Sequence, residues 1–130
     1  MKFLFSLIAL CSACSAFAAD QSQFATEAVA FLDAELPQMD QAVANKDRSY
    51  FGPAHARVQA FFESWNSLHS DALERYPSCA HAMSDFLIVG LCKLSRPGTL
   101  CEIETFFPKV DKDIEQCRLS AKPAGDAPSN

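Results

Sequence analysis

Glycine is scarce in this 130-residue chain: four residues in all, two of them beside proline at Gly52-Pro53 and Pro97-Gly98. That leaves no glycine-rich loop to cradle a phosphate. Histidine is scarcer still, with three residues. His55 and His69 lie fourteen positions apart, about 21 Å along one helix at about 1.5 Å per residue, too far to hold one ion. His81 stands near Cys79 and Asp85, but an oxidised cysteine is no ligand and two remaining groups make a weak metal site. Neither C-x-x-C-H for haem attachment nor G-x-S-x-G for a serine nucleophile occurs. Past residue 20 there is no C-x-x-C pair for thiol redox chemistry. These absences remove the usual signatures of nucleotide, haem, metal and nucleophile chemistry. The expectation is a protein with no cofactor and no metal that binds rather than catalyses.

One sign of charge is also missing locally. Residues 20–45 carry Asp20, Glu27, Asp33, Glu35 and Asp40 with no Lys or Arg. Over residues 20–130 there are ten Lys and Arg against sixteen Asp and Glu, a net charge of −6. Nucleic acid demands clustered cations, so it is excluded as a partner. Glu27, Asp33, Glu35 and Asp40 form a candidate acidic interaction face that would steer a basic protein partner. The plainer alternative is a solvated helix surface.

The opening residues address the compartment. Lys2 precedes an apolar run, Phe3 to Leu10, and small residues lead to Ala16-Phe17-Ala18, a signal-peptidase pattern with cleavage before Ala19 or one residue later. The run is too short and too rich in Ser and Ala for a membrane span. The expectation is export to the periplasm or cell exterior, with no stable membrane insertion. A lipoprotein anchored at Cys14 is the alternative; Cys11 stands where such a motif wants Leu. On this reading residues 1–19 are a signal peptide, 20–118 one helical domain and 119–130 a disordered tail, since SAKPAGDAPSN has nothing to bury.

The domain reads as all-α, a small bundle of four to five helices. Phe24, Ala28, Phe31, Leu32 and Leu36 recur at helical spacing from Asp20 to Leu36. Pro37 is expected to interrupt that helix, with a short second one over Gln38–Ala44. Tyr50-Phe51-Gly52-Pro53 reads as a turn. A long helix follows from Ala54 to Arg75, its buried face Val58, Phe61, Phe62, Trp65, Leu68, Ala72 and Tyr76. Pro77 ends or kinks it. The next begins near Ser78. Its centre, Phe86 to Leu91, is apolar all round, as for a helix enclosed by neighbours. After Pro97-Gly98, Thr99 with Glu102 makes a capping box for a last helix. That helix keeps Leu100, Ile103, Phe107, Val110, Ile114 and Cys117 on one face through a kink at Pro108.

Four cysteines flank this last turn. Cys79 and Cys92 share a helix and would lie about 20 Å apart, whereas a disulfide needs Cα atoms within about 7 Å. Crossed pairing clashes with an antiparallel hairpin. Nested pairing remains: Cys92 with Cys101, Cys79 with Cys117. Thirteen residues turn a helix by about 220°, so Cys79 and Cys92 do not share a stripe. A frayed start at Cys79 or the Pro108 kink should absorb the mismatch. The hairpin resembles that of twin-cysteine helical hairpin proteins, though its arms, C-x12-C and C-x15-C, are unequal and long. The likeness is architectural and implies no activity. Insect odorant-binding proteins share the size and helicity, but their C-x3-C step is missing here. Function is then expected to be binding: an inhibitor-like or immunity-like module for an unidentified protein partner. The alternative is a carrier holding a small apolar ligand in an aromatic-lined cavity between helices.

Overall fold

A computed structural model describes residues 19–68, 71–96 and 101–122. The expected signal segment, the Pro97-Gly98-Thr99 turn, His69 and residues 123–130 lie outside the described residues. Among the described residues, five α-helices and one 3-10 turn follow in order: α1 Ala19–Ala44, the turn Arg48–Tyr50, α2 Phe51–Leu68, α3 Ala72–Arg75, α4 Pro77–Lys93 and α5 Ile103–Ala121. No strand occurs among the described residues, and no helix there is long and apolar enough to cross a membrane.

Helix α1 runs unbroken through Pro37, where the sequence suggested two helices. An interior proline costs a helix about 3 kcal/mol. Pro37 is exposed, while Phe24, Ala28 and Leu32 before it and Met39 and Ala42 after it are buried in the same core. Packing on both sides offsets the lost hydrogen bond, since tertiary burial rather than propensity holds most helices. Lys46, at φ 55°, closes α1 in the left-handed region, with Lys46 N–H donating to Val43 (3.1 Å) and Asp47 N–H to Ala42 (2.8 Å).

Of the supposed turn at Tyr50–Pro53, Tyr50 ends the 3-10 turn and Phe51-Gly52-Pro53 begin α2. Proline fits the first turn of a helix, where its missing N–H has no partner to lose. The long helix to Arg75 is two pieces, α2 and the four-residue α3. Pro77 begins α4 for the same reason that Pro53 fits α2. Helix α5 starts at Ile103 with Glu102 at its N-cap position and no side-chain cap; Thr99 of the expected capping box lies outside the described residues. It passes through Pro108 and reaches Ala121, beyond the boundary placed at residue 119.

The core lies where α4 meets α1, α2 and α5. Phe24, Phe86, Leu32, Met83 and Val110 are its largest sealed side chains. Helix α4 is less enclosed than its sequence suggests: Ile88 is 46% exposed and Leu91 38%. Both disulfides form as nested, Cys79–Cys117 with Cα atoms 4.6 Å apart and Cys92–Cys101 with 5.8 Å. Cys79 lies within α4, so its start there is not frayed. Cys101 lies outside α5, in the stretch before it, and so is not bound to the helical phase.

A groove between α1, α4 and α5

The four residues of the expected acidic face do not share one environment. Glu27 is exposed on α1. Glu35 points inward and is 5% exposed. Arg57 of α2 grips its carboxylate, Nε donating to Oε1 (2.6 Å) and Nη2 to Oε2 (2.8 Å), while Tyr50 Oη donates to Oε2 (2.7 Å). The guanidinium also lies 5.9 Å from the Tyr50 ring centre. Those hydrogen bonds, led by Arg57, hold the Glu35 carboxyl below its ordinary range despite burial. Burial, then the Glu35 carboxylate, pushes the Tyr50 hydroxyl well above the usual tyrosine value. Glu35 is thus a strut joining α1 to α2. Asp33 and Asp40 each meet a cation: Arg118 Nη2 is 2.7 Å from Asp33, and Lys93 Nζ is 3.5 Å from Asp40. No composition count could separate these roles, because Arg57 lies 22 residues from Glu35 and Arg118 lies 85 from Asp33.

The aromatic residues are spent on one another. Phe24 has Trp65 edge-on at 5.3 Å, Phe61 at 5.8 Å and Tyr76 at 6.1 Å. Phe31 bridges Phe61 (5.6 Å) to Phe86 (6.5 Å). This is the packing expected of rings in a core.

A groove of about 620 Å³ opens between α1, α4 and α5. Its floor is Leu36, Met39, Phe86, Val89, Val110 and Ile114, with a single aromatic among them. Leu119, 49% exposed, extends the apolar surface to the rim. The rim is charged, with Asp40, Lys93, Asp111, Glu115, Arg118 and Lys122. Its volume falls within the range of about 300–1,000 Å³ typical of ligand sites. Sequence reading missed this groove. Its one hint was the rising number of polar positions around Val110, Ile114 and Leu119 on the last helix.

Elsewhere, Lys109 Nζ on α5 lies 3.0 Å from Asp113 and 3.3 Å from Asp85 of α4. His81 Nδ1 stands 4.0 Å from the same Asp113. With Cys79 in a disulfide and Asp85 beside Lys109, the residues around His81 are engaged in joining α4 to α5. Among the described residues no three His, Cys, Asp or Glu side chains gather as a metal site would require. No protein-family model matches the chain, and neither the curated proteins nor the solved structures hold a match to it.

Proposed function

We propose that this is an exported protein-interaction module, of the inhibitor or immunity kind, whose recognition surface is the groove between α1, α4 and α5. The observation that carries this reading is an apolar floor open to solvent and rimmed by charge, the anatomy of a protein contact with an apolar centre and a polar edge. Two disulfides stiffen the helices that form its walls; pre-organisation of this kind lowers the ordering cost of association. The disulfides also fit an oxidising compartment. The recognition surface moves from the N-terminal acids to the groove because Glu35 is sealed in and Asp33 and Asp40 already meet cations. An aromatic-lined carrier cavity has less support, since the rings pack against each other and the groove holds only Phe86.

The test is site-resolved cross-linking in the compartment of origin. A photoreactive phenylalanine analogue at position 119 should trap a protein, while the same group at position 27, on the exposed part of α1, should not. Adducts from position 27 alone, or adducts to lipid-sized molecules only, would refute the assignment.

A further inference from the structure

The groove has a direction. Asp33 of α1 meets Arg118 of α5, and Asp40, two turns further along α1, meets Lys93 of α4. Helix α4 runs antiparallel to α5, as the Cys79–Cys117, Asp85–Lys109 and Cys92–Cys101 pairs require. One end of the groove therefore holds Asp40, Lys93 and Asp111, and the other holds Arg118 and Lys122, with Glu115 between. Lys93 offsets Asp40, and Asp33 offsets Arg118. What remains is Asp111 and Glu115 towards one end and Lys122 at the other. From Asp111 in α5 to Lys122 just past its end is eleven residues, about 16 Å or three helical turns.

Resting on the reading above, we infer that the groove receives an amphipathic helix of about three turns, running antiparallel to α5. Its acidic N-terminal end lies over Lys122 and its basic C-terminal end over Asp111 and Glu115. Three features favour a helix over an extended segment. The floor and rim are side chains on three helices and offer no strand edge, so a partner must satisfy its own backbone hydrogen bonds. The volume suits a few apolar anchors at i, i+3, i+4 and i+7 rather than a whole helix, so the helix lies along the groove with its anchors inside. Helices also carry acids in their first turn and bases in their last. The rim charges match that polarity in one orientation only, opposite to α5 and parallel to α1.

Two designed peptides of one composition separate orientation from mere stickiness. Both carry leucines at helical spacing, both are capped at their termini, and both are held helical by a side-chain staple. One has glutamates in its first turn and lysines in its last; the other has the reverse. Measured by fluorescence anisotropy at low ionic strength, where rim charges act most strongly, the first should bind the oxidised protein at least fivefold tighter. The double variant Asp111→Lys, Lys122→Glu alters only exposed side chains and should invert the preference. Leu119→Arg should weaken both peptides. Equal affinities, or a preference that the double variant leaves unchanged, would overturn the orientation; the groove itself would stand if Leu119→Arg still weakened both. If neither peptide bound, or Leu119→Arg changed nothing, the groove would fall as a protein site and the inference with it. Concentration-dependent dimerisation abolished by Leu119→Arg would put a second copy there and equally overturn the assignment.

Discussion

Helix α4 is held to its neighbours in two unlike ways. To α5 and the stretch before it, it is stitched covalently at both ends, with Lys109 bridging Asp85 and Asp113 between the stitches. Against α1 and α2 it has no covalent link. There Met39 and Phe51 press on Gly90, Phe31 meets Phe86, and the far side is closed by the Phe24 ring cluster and the Glu35–Arg57–Tyr50 strut. The two seams draw on different free energies. Disulfides act largely by restricting the unfolded chain, whereas ring packing and buried hydrogen bonds act in the folded state. The hairpin should therefore tolerate poor packing better than the α1–α2 side does, and the groove walls should differ in stiffness accordingly.

The largest effect should fall on the non-covalent seam. Phe24 is fully buried with aromatic neighbours on three sides, so the site has little freedom to collapse. Phe24→Ala is expected to cost about 4–5 kcal/mol, the upper part of the range for such truncations. Urea titration with the disulfides intact would measure it. A cost under about 1 kcal/mol would mean that the hairpin alone carries the stability, and the contrast between seams would collapse.

Next come the two bridges. Cys79–Cys117 spans 38 residues and Cys92–Cys101 spans 9. Loop entropy gives about 4 kcal/mol for the first and about 3 for the second. Cys79 and Cys117 are sealed, and Cys101 is half-buried. Removing the outer bridge should thus also loosen the packing of Met83 and Ile114. Paired Cys→Ala variants avoid burying new hydroxyls, and thermal melting of each should show the larger drop for Cys79/Cys117. A larger drop for the inner pair would reverse the ranking.

Much of the hairpin could be read from the chain because its constraints are local and countable. Cysteine spacing, helix rise and disulfide reach leave one pairing, and that pairing forms. The α1–α2 side was harder. Pro37 looked like a break because the penalty for proline is local, while the burial of Leu32 and Met39 that overrides it is tertiary. Phe86 to Leu91 looked enclosed because hydropathy does not say which neighbour is absent; Ile88 and Leu91 face outward. The different environments of the four acids on the candidate face were hidden for a similar reason. The partners of Glu35, Asp33 and Asp40 come from four other elements. The groove is a property of how three helices diverge, and no single stretch of sequence encodes it.

The Glu35 strut should make the non-covalent seam acid-sensitive. The folded-state pKa of Glu35 is lowered from 4.5, chiefly by the Arg57 hydrogen bonds. A carboxyl depressed on folding contributes its full stability above its unfolded pKa and loses it as pH falls through the lower folded value. Glu35→Gln should therefore cost about 2 kcal/mol at pH 7, in the range for hydrogen bonds to a charged group. The gap between wild type and variant should narrow steadily below about pH 4. Urea midpoints measured from pH 7 down to 2.5 would check this. A gap that stays constant across that range would show that Glu35 acts through shape alone, not through its charge.

The smallest expected effect lies at the closest approach on the same seam. A Cβ on Gly90 would sit 2.6 Å from Met39 Sδ and 2.7 Å from Phe51 Cε1. Two terms oppose each other in Gly90→Ala. Alanine gains up to about 1 kcal/mol of helix propensity over glycine. Overpacking a tight site costs about 1–3 kcal/mol. Met39 can swing its flexible end, but towards the groove, whose floor it forms. Phe51 has less freedom, since it is 6% exposed and meets the Tyr50 ring at 5.2 Å. The overpacking term should win narrowly, for a net loss of about 1 kcal/mol. Met39→Ala would remove both of its clashing atoms, so the double variant should be destabilised by less than the two single changes together. A double-mutant cycle in urea would read that coupling. Strict additivity would mean that the steric conflict is with Phe51 alone. A stabilised Gly90→Ala would mean that the non-covalent seam has slack, and that the stitched seam is the tighter of the two.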